Sequence, residues 1–298
     1  MTSENRRLIN VYFYNPFLEK RAGRKREISH LLGVSENDVH DLQYDERETK
    51  DFIEGARVFG VDYYGKHIKA RYCRNKREAE GVFLRAKYAS ETGIPMSEPL
   101  GVLENLALFS YIEGRSLSCD ESELYLDQIA SAQHSLSKNK FGAESNMFVE
   151  ELLTKMISRC VSKLKEVCFG MESLEKIEKI LEVKPDIIGS FDHQDYGLHN
   201  LILGEDKRIY VVDEEAFGLL PFGYGIVRPI FDRENYKVTS KKNLERYLSF
   251  FTIEQREYVT ANLDYFRAIF ILRNCLRRYI SGNTEGAIKL ISEVNELK

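Results

Sequence analysis

The sequence predicts an α+β chain with two lobes, a small strand-rich lobe at residues 1–112 and a larger, mainly helical lobe at residues 113–298. Two patterns support this division: paired β-strand signals precede residue 115, and helical periodicity dominates after it. The length of 298 residues is sufficient for two lobes that each bury a core. No repeat and no low-complexity linker separates the two parts.

The predicted small lobe consists of two β-hairpins and one helix. Residues 57–73, RVFGVDYYGKHIKARYC, hold two β-rich runs around a YYGK turn, in which Gly65 supplies the positive φ of a tight hairpin. Residues 76–90 are rich in helix formers and end before TGIP, which stops a helix. Residues 98–112 contain two short apolar runs around the dipeptide EN. These elements predict a small antiparallel β-sheet accompanied by a helix.

Residues 27–39, EISHLLGVSENDV, have the outline of a helix-turn-helix, with Gly33 in the turn. The pattern is short and degenerate, and many helices share it by chance. We therefore interpret the segment as a helix that caps the small lobe, and we predict no DNA binding from it.

The predicted larger lobe begins with helices and contains two short strands. Apolar residues recur every three to four positions through residues 121–184, which is typical of helices packed on a core. The runs at 200–203 and 209–213 flank a GEDK turn and predict a strand pair. From about residue 240 the pattern is helical again and includes DYFRAIFILRNCLRRYI. We expect this last segment to be a core helix whose arginines form a solvated edge.

Composition argues against several classes of function. The net charge of -4 provides no bulk attraction to nucleic acid. Five scattered cysteines without a CxxC pair predict reduced, mostly buried thiols and no zinc site. The first residues lack a continuous apolar segment, and no stretch approaches the roughly 18 apolar residues of a membrane span. We therefore expect a cytoplasmic protein with neither a nucleic acid nor a membrane as its partner.

The segment FDHQDYGLHNLIL at 191–203 has the strongest functional signal in the chain. It places His193, Asp195 and Asn200 in the spacing H-x-D-x-x-x-x-N directly before a strand, and Asp213 ends the following strand. Phosphoryl transfer requires an acid that orients and deprotonates a hydroxyl, together with oxygen ligands for Mg²⁺. One loop and one hairpin therefore contain a minimal set of groups for this reaction.

The same stretches resemble the aminoglycoside phosphotransferase and choline kinase family, small-molecule kinases with a protein-kinase-like fold. The family's catalytic loop is H-G-D-x-x-x-x-N, similar to HQDYGLHN here, and its metal-binding segment I-D-[WFY]-[ED] is similar to VDEE at 212–215. YIEGRSL at 111–117 resembles the hinge between the lobes, and IASAQHSL at 129–136 resembles the family's A-x-L-H-x-L segment. The likeness follows chain order over most of the sequence.

The resemblance implies ATP and Mg²⁺ as cofactors and a role for each matching residue. Asp195 would be the catalytic residue, with His193 shaping its loop, and Asn200 and Asp213 would bind Mg²⁺. The implied nucleotide-binding residues are Lys69 for the α and β phosphates, Glu78 as its partner in preference to Glu80, and the backbone of Ser110, Tyr111 and Ile112 for adenine. His199 and His134 are interpreted as packing or surface residues.

Several departures from the family pattern leave alternatives open. Gln194 replaces a glycine, Glu214 replaces an aromatic residue, and no glycine-rich phosphate loop is recognisable at 45–56. A shift of strand register would place Arg71 instead of Lys69 at the phosphates. Glu214 and its neighbour Glu215 are either ion-pair partners or part of a pocket for a cationic acceptor. The acids at 232 and 234 also suggest a cationic acceptor, and Asp232 is a candidate for the family's later aspartate.

The leading hypothesis is therefore a kinase that phosphorylates a hydroxyl of a small molecule, with a cationic acceptor as one option. One alternative is a protein Ser/Thr kinase, although the region after Asp213 has no DFG to APE span. The other is a nucleotide-binding pseudokinase or scaffold without turnover, suggested by the missing glycine-rich loop.

Overall fold

The computed structural model describes residues 24–41, 58–138, 142–167, 169–231 and 240–297. The regular elements of its small lobe are α1 (Arg24–Leu32), β1 (Val39–Asp41), β2 (Val58–Tyr63), β3 (Lys66–Tyr72), α2 (Lys76–Glu91), β4 (Pro99–Leu103) and β5 (Leu106–Ser110).

The five strands described for the small lobe form one antiparallel sheet in the order β1-β2-β3-β5-β4. Both predicted hairpins are confirmed by the β2–β3 and β4–β5 pairs. The β2–β3 turn has positive φ at Tyr64 (48°) and at Gly65 (75°), as in the type I′ turn that matches the right-handed twist of paired strands.

Helix α1 packs against this sheet with Ile28 and Leu32. At Gly33, where φ is 66°, the chain leaves the helix, and it then forms a 3-10 turn at Glu36–Asp38 and strand β1. Because an edge strand follows instead of a second α-helix, the interpretation of the segment as a capping helix is confirmed.

The two faces of β3 carry different chemistry, because successive side chains of a strand point to opposite sides. Ile68 and Ala70 belong to the apolar cluster that packs under α1. Lys69 and Arg71 lie on the other face, where both are buried and contact the larger lobe. Strand alternation therefore directs two cations into the cleft between the lobes.

The larger lobe continues the chain through further helices and short strands. Its elements are β6 (Gly114–Ser116), α3 (Cys119–Leu124), α4 (Leu126–Ser137), α5 (Ala143–Glu166), α6 (Met171–Glu182), β7 (Gly189–His193), β8 (Leu201–Gly204), β9 (Ile209–Val211), β10 (Phe217–Pro221), α7 (Arg228–Phe231), α8 (Lys241–Leu248), α9 (Ile253–Ala261), α10 (Leu263–Ile280) and α11 (Thr284–Ser292). The helices predicted within 121–184 and after residue 240 are confirmed.

Two small antiparallel sheets position the loops of the larger lobe. Strands β6, β8 and β9 form one sheet, and β7 pairs with β10 in the other. The main apolar core lies between these strands and helices α4, α5, α6 and α10.

Of the described cysteines, three are buried and Cys119 is half-buried, and none forms a disulfide. Within the described ranges, no helix is both long enough and apolar enough to cross a membrane.

Gly114 begins β6, where the chain enters the larger lobe, and only a residue without a side chain fits there. A Cβ atom at this position would lie 2.4 Å from the carbonyl oxygen of Leu203 and 2.8 Å from Cγ2 of Ile202. Gly114→Ala should therefore lower the free energy of unfolding by about 1–3 kcal/mol, as overpacking does elsewhere. Gly101→Ala is the matched control, because its Cβ would meet nothing within 4 Å. Equal urea midpoints for the two variants would contradict this account.

Candidate active site

The loop between β7 and β8 carries the predicted catalytic aspartate. Strand β7 is buried along its whole length, and the chain then turns through Asp195 into a 3-10 turn at Leu198–Asn200. The carbonyl oxygen of Asp195 accepts hydrogen bonds from Gly197 N at 2.7 Å and from Asn200 Nδ2 at 2.8 Å. The loop is thus closed by its own hydrogen bonds, and the Asp195 side chain stays 21% exposed.

His193 connects this loop to the strand that precedes Asp213. Its Nε2 donates to the carbonyl oxygen of Val212 at 2.9 Å, and its Nδ1 accepts from the backbone N–H of Asp195 at 3.3 Å. Burial lowers the pKa of His193 to about 3, so the ring is neutral at pH 7. A neutral ring with its proton on Nε2 satisfies both hydrogen bonds at once.

Asn200 and Asp213 lie at the same end of the β8–β9 hairpin. Leu201 pairs with Val211, and the next hydrogen bond runs from Val212 N to the Asn200 carbonyl oxygen at 3.0 Å. Asp213 has a φ of 71°, which turns the chain sharply after the strand. Burial, with a further contribution from Glu215, raises the pKa of Asp213 to about 7. The hairpin therefore brings one carboxylate and one side-chain amide together, and both offer oxygen ligands of the kind that Mg²⁺ prefers.

Lys69 reaches across the interlobe cleft and pairs with Glu214. The ammonium group contacts Glu214 Oε1 and donates to Ser97 Oγ at 3.0 Å, and both ionic side chains are at most 2% exposed. Burial would raise the pKa of Glu214, but Lys69 more than offsets this effect, so the pKa is lowered. Glu214, noted as a departure from the family motif, is thus the ion-pair partner of the strand lysine.

The predicted pair of Lys69 with Glu78 is therefore wrong. Glu78 lies in the first turn of α2 and points back to the helix start, where its carboxylate accepts from Arg74 N at 2.9 Å and from Arg74 Nε at 3.0 Å. Glu80 is exposed on the same helix. A glutamate in a first helical turn is stabilised by the backbone N–H groups and the helix dipole, and Glu78 accordingly bonds Arg74 while Lys69 bonds Glu214.

Arg71 binds the two acids on either side of Glu214. Its Nη1 donates to Asp213 Oδ1 at 3.1 Å, and its Nη2 contacts Glu215 Oε2. Burial would lower the pKa of Arg71, but Glu215 and Asp213 raise it above the ordinary value. Glu214 and Glu215 are thus ion-pair partners of small-lobe cations, which removes them as grounds for a cationic acceptor. The acids at 232 and 234, and the assignment of Asp232, lie outside the described residues.

The predicted adenine-binding segment at Ser110, Tyr111 and Ile112 follows β5 directly. Ser110 forms two hydrogen bonds with Glu98. The backbone N–H of Ser110 donates to the Glu98 carbonyl oxygen at 2.8 Å, and the Ser110 hydroxyl oxygen accepts from the Glu98 N–H at 2.8 Å. Ile112 packs in an apolar cluster that includes Val212. The segment therefore lies against the hairpin that carries Asn200 and Asp213.

Basic side chains around Asp195 were not predicted. Arg228 of α7 contacts Oδ1 of Asp195, and on the other oxygen His199 Nε2 lies at 3.2 Å and Arg277 Nη1 at 3.8 Å. His199, interpreted from the sequence as a packing or surface residue, is thus a neighbour of the reactive carboxylate. Its position four residues after Asp195 in a tight loop was the available signal.

The arginines of α10 also differ from the expected solvated edge. Arg273 Nη1 donates to the Gln194 carbonyl oxygen at 3.2 Å and to the Tyr224 hydroxyl at 2.6 Å. Gln194 and Tyr224 line a small cavity of about 20 Å³ whose other walls are apolar side chains of α5 and β10. The helix is buried as predicted, but Arg273 contacts the Asp195 loop instead of forming part of a solvated edge.

Asp192 is a buried acid that fixes the base of the loop. Its Oδ1 accepts from Gln133 Nε2 and from His193 N, both at 2.6 Å, and its Oδ2 accepts from Gly225 N at 3.2 Å. A Cβ atom at Gly225 would lie 2.4 Å from Oδ1 of this carboxylate. Asp192 thereby joins α4, β7 and the turn that leads to Arg228.

Asp192→Asn should change how stability depends on pH. Burial raises the pKa of Asp192 to about 7, whereas in an unfolded chain it is about 4. The native state therefore holds this proton more tightly, and the resulting stabilisation declines as the pH rises from about 4 to 7, by at most about 1.4 kcal/mol per pH unit. The unfolding free energy of the wild type minus that of the variant should therefore fall as the pH rises through this window, and it should level off above it.

Urea denaturation between pH 5 and pH 8 measures this difference. Asp206→Asn is the control, because hydrogen bonds from Arg208 and Tyr210 lower the pKa of Asp206 and its contribution is lost only at more acidic pH. Parallel stability curves for the wild type and Asp192→Asn would show that Asp192 does not titrate here.

Comparison with known proteins gives a match in structure only. No family model and no curated protein sequence matches the chain. An aminoglycoside phosphotransferase, APH(4)-Ia, superposes with a TM-score of 0.61 at 15% identity, covering 92% of this chain and 97% of its own. The same enzyme is known in a ternary complex with AMP-PNP and hygromycin B.

Two further solved structures give the same result. An ethanolamine kinase from Plasmodium vivax has a TM-score of 0.57 at 13% identity, covering 95% of this chain and 96% of its own. The choline kinase LicA from Streptococcus pneumoniae has a TM-score of 0.51 at 14% identity, covering 91% of this chain and 98% of its own, and is also known in complex with AMP. The chain therefore has the two-lobed, protein-kinase-like fold of choline kinases and aminoglycoside phosphotransferases.

Proposed function

We propose that this chain is a phosphotransferase that moves the terminal phosphoryl group of ATP to a hydroxyl of a small molecule. Asp195 orients the acceptor hydroxyl and takes its proton. Lys69 binds the nucleotide phosphates, and the segment Ser110–Ile112 receives the adenine. Asn200 and Asp213 hold Mg²⁺. Because phosphoryl transfer passes through a loose transition state, these residues act mainly by positioning and by charge.

One observation carries the proposal: the contact of Lys69 and Arg71 with the segment that begins at Asp213. It places the small-lobe cations directly beside the hairpin that carries Asn200 and Asp213. Three carboxylates and two cations meet at this point. Because the carboxylates outnumber the cations, a positively charged metal ion can still bind beside them. Glu214 holds the Lys69 ammonium group beside this hairpin. We expect the phosphate oxygens of ATP to contact the same ammonium group.

The residues of the hairpin fit a magnesium ion. Asn200 uses its Nδ2 on the Asp195 carbonyl, so its side-chain oxygen is the atom that remains to bind a cation. Asp213 shares Oδ1 with Arg71 and contributes a second carboxylate oxygen. Asn200 and Asp213 would hold Mg²⁺, whose positive charge would offset the negative charge of the nucleotide phosphates during transfer.

Two features support a small-molecule acceptor over a protein. The chain passes from Asp213 through one 3-10 turn into β10, which pairs with β7, so this stretch offers no exposed segment for a peptide to bind. The structural neighbours named above are small-molecule kinases, which supports the same choice.

The test combines nucleotide binding with turnover. Calorimetry should detect binding of ATP that strengthens with Mg²⁺, and an assay of ADP release should detect turnover in a screen of alcohols, amino alcohols, sugars, hydroxy acids and nucleosides. Asp195→Asn protein provides the blank. Binding of Mg-ATP without turnover on any acceptor would instead support the pseudokinase alternative, for which the contact of Arg228 on Asp195 is the favouring observation.

A further inference from the structure

We infer that Arg85 of helix α2 is a phosphate-binding residue of the interlobe cleft, a third cation in addition to Lys69 and Arg71. The inference rests on the proposed function and concerns its nucleotide side. It is drawn from the burial of the Arg85 guanidinium group, from the atoms around it and from its place between the lobes.

Arg85 is buried without a hydrogen-bond partner. Only 5% of its surface is exposed, and its Nε is enclosed and unsatisfied. In the part of the chain that the structure describes, no group accepts a hydrogen bond from this guanidinium group or forms an ion pair with it. Buried polar groups of folded proteins nearly always have such partners. The five N–H donors of Arg85 are therefore available to a ligand.

The charge of Arg85 makes this arrangement unfavourable without a ligand. Burial lowers the pKa of Arg85 to about 10, although Glu215 opposes the shift, so the side chain is still protonated at pH 7. Burial of a charged group that lacks a partner destabilises the folded state. An apolar side chain of similar length would avoid this cost. The folded protein thus holds a cation that a bound anion would stabilise.

Gly81 leaves room for this guanidinium group. A Cβ atom at Gly81 would lie 3.3 Å from Arg85 Nη1, so the arginine side chain runs back along α2 over the preceding turn, as helical side chains do. Glycine in a helix interior is less stable than alanine. A glycine and an unpaired buried charge therefore coincide in one helix, and such departures from the most stable choice are typical of functional sites.

Arg85 faces the ionic cluster of the interlobe cleft. Helix α2 packs against the 3-10 turn Glu214–Ala216, which follows Asp213 directly. Glu215 and Arg71 are the charged residues that act most strongly on Arg85, and Arg71 in turn binds Asp213. The guanidinium group therefore lies on the side of the cleft where the nucleotide phosphates are expected.

The carboxylates near Arg85 are held by other cations. Glu215 contacts Arg71, and Glu78 accepts two hydrogen bonds from Arg74. Either acid could reach Arg85 only by leaving its present partner. A phosphate group would break no existing ion pair, and two of its oxygens match the planar guanidinium group through parallel hydrogen bonds.

Arg85→Met removes the charge and nearly keeps the length of the side chain. Calorimetry should show that this variant binds Mg-ATP roughly tenfold to a hundredfold more weakly, the range for a hydrogen bond to a charged group, and binds adenosine as tightly as the wild type. Arg85→Lys keeps the charge but not the planar fork, so its affinity for Mg-ATP should be intermediate. Lys87→Met is the matched control, because it removes an exposed cation from the same helix.

Urea denaturation without ligand separates this role from a purely structural one. Because Arg85 has no partner to lose among the described residues, Arg85→Met should unfold at the same urea concentration as the wild type or at a higher one. A lower urea midpoint, combined with an unchanged Kd for Mg-ATP, would show that Arg85 supports only the fold and would overturn the inference.

Inorganic phosphate distinguishes the two sources of the phosphate group. If Arg85 binds a phosphate of the nucleotide, the effect of Arg85→Met should be confined to Mg-ATP. If it binds free phosphate, inorganic phosphate should bind to protein saturated with Mg²⁺ and AMP-PNP, and Arg85→Met should remove this binding. Either result supports the phosphate site, whereas unchanged binding of both probes would overturn it.

The assay of ADP release tests the proposed function separately. Weaker binding of Mg-ATP by Arg85→Met, without turnover on any acceptor by the wild type, would retain the phosphate site and reject the kinase. Turnover with the same KM for Mg-ATP in the wild type and in Arg85→Met, together with unchanged binding of both probes, would retain the kinase and overturn the inference.

Discussion

Asp195→Asn should lower kcat for phosphoryl transfer by roughly a hundredfold to ten-thousandfold, the contribution of a positioned general base. The amide has nearly the shape of the carboxylate but cannot take the proton of the acceptor hydroxyl. The Asp195 carboxylate contacts arginines and a histidine of the acceptor side, whereas Lys69 lies with Glu214 on the nucleotide side. We therefore expect the Kd of Mg-ATP to change by no more than about threefold, which is less than the change that loss of a hydrogen bond to a charged group would produce.

The measurement is steady-state kcat with the best acceptor, together with calorimetry of Mg-ATP. Asn was chosen over Ala because its side-chain oxygen can still accept from the buried Arg228, which limits loss of stability. Asp206→Asn, in the exposed turn between β8 and β9, is the control for removing a carboxylate from the same hairpin at the end away from Asn200 and Asp213. A variant at position 195 that transfers phosphate at the wild-type rate would reject Asp195 as the catalytic residue.

Breaking the buried pair of Lys69 and Glu214 should produce the largest loss of stability. Removal of one partner leaves an uncompensated charge in a site that is at most 2% exposed, and such changes cost about 3–5 kcal/mol. Lys69→Met and Glu214→Leu should each lower the unfolding free energy by this amount. The double variant should lose less than either single one, because no buried charge remains.

Urea denaturation of the four proteins in this cycle gives the coupling free energy directly. The exposed pair of Lys155 and Glu151 on α5 is the control, and its coupling should be at most about 1 kcal/mol. Additive losses at Lys69 and Glu214 would show that the pair is not formed. The double variant should be more stable than Lys69→Met alone, yet it should still bind Mg-ATP more weakly than the wild type because Lys69 is missing. Weak binding by this more stable protein separates the effect on ligand binding from the effect on folding.

The parts of the site that depend on short stretches of chain could be predicted from the sequence. Gly65 and the alternation of β3 predicted the first hairpin, and the spacing from His193 to Asn200, followed by Asp213 in the next strand, predicted one loop and one hairpin. Strand periodicity and short turns determine which residues meet when partners are separated by few positions. The fold class followed from these elements and from the family resemblance.

The contacts across long separations were decided by the tertiary structure. Lys69 and Glu214 are 145 positions apart, and local spacing favoured Glu78 instead, because a pattern cannot show that Glu78 turns back to Arg74. The arginines around Asp195 come from α7 and α10, and the rotation of these helices against the loop depends on core packing. Whether an ion pair or a charged pocket forms depends on the positions of the side chains to within a few ångströms. Sequence periodicity determines only which face of an element a side chain occupies, whereas the packing of those faces determines what it touches.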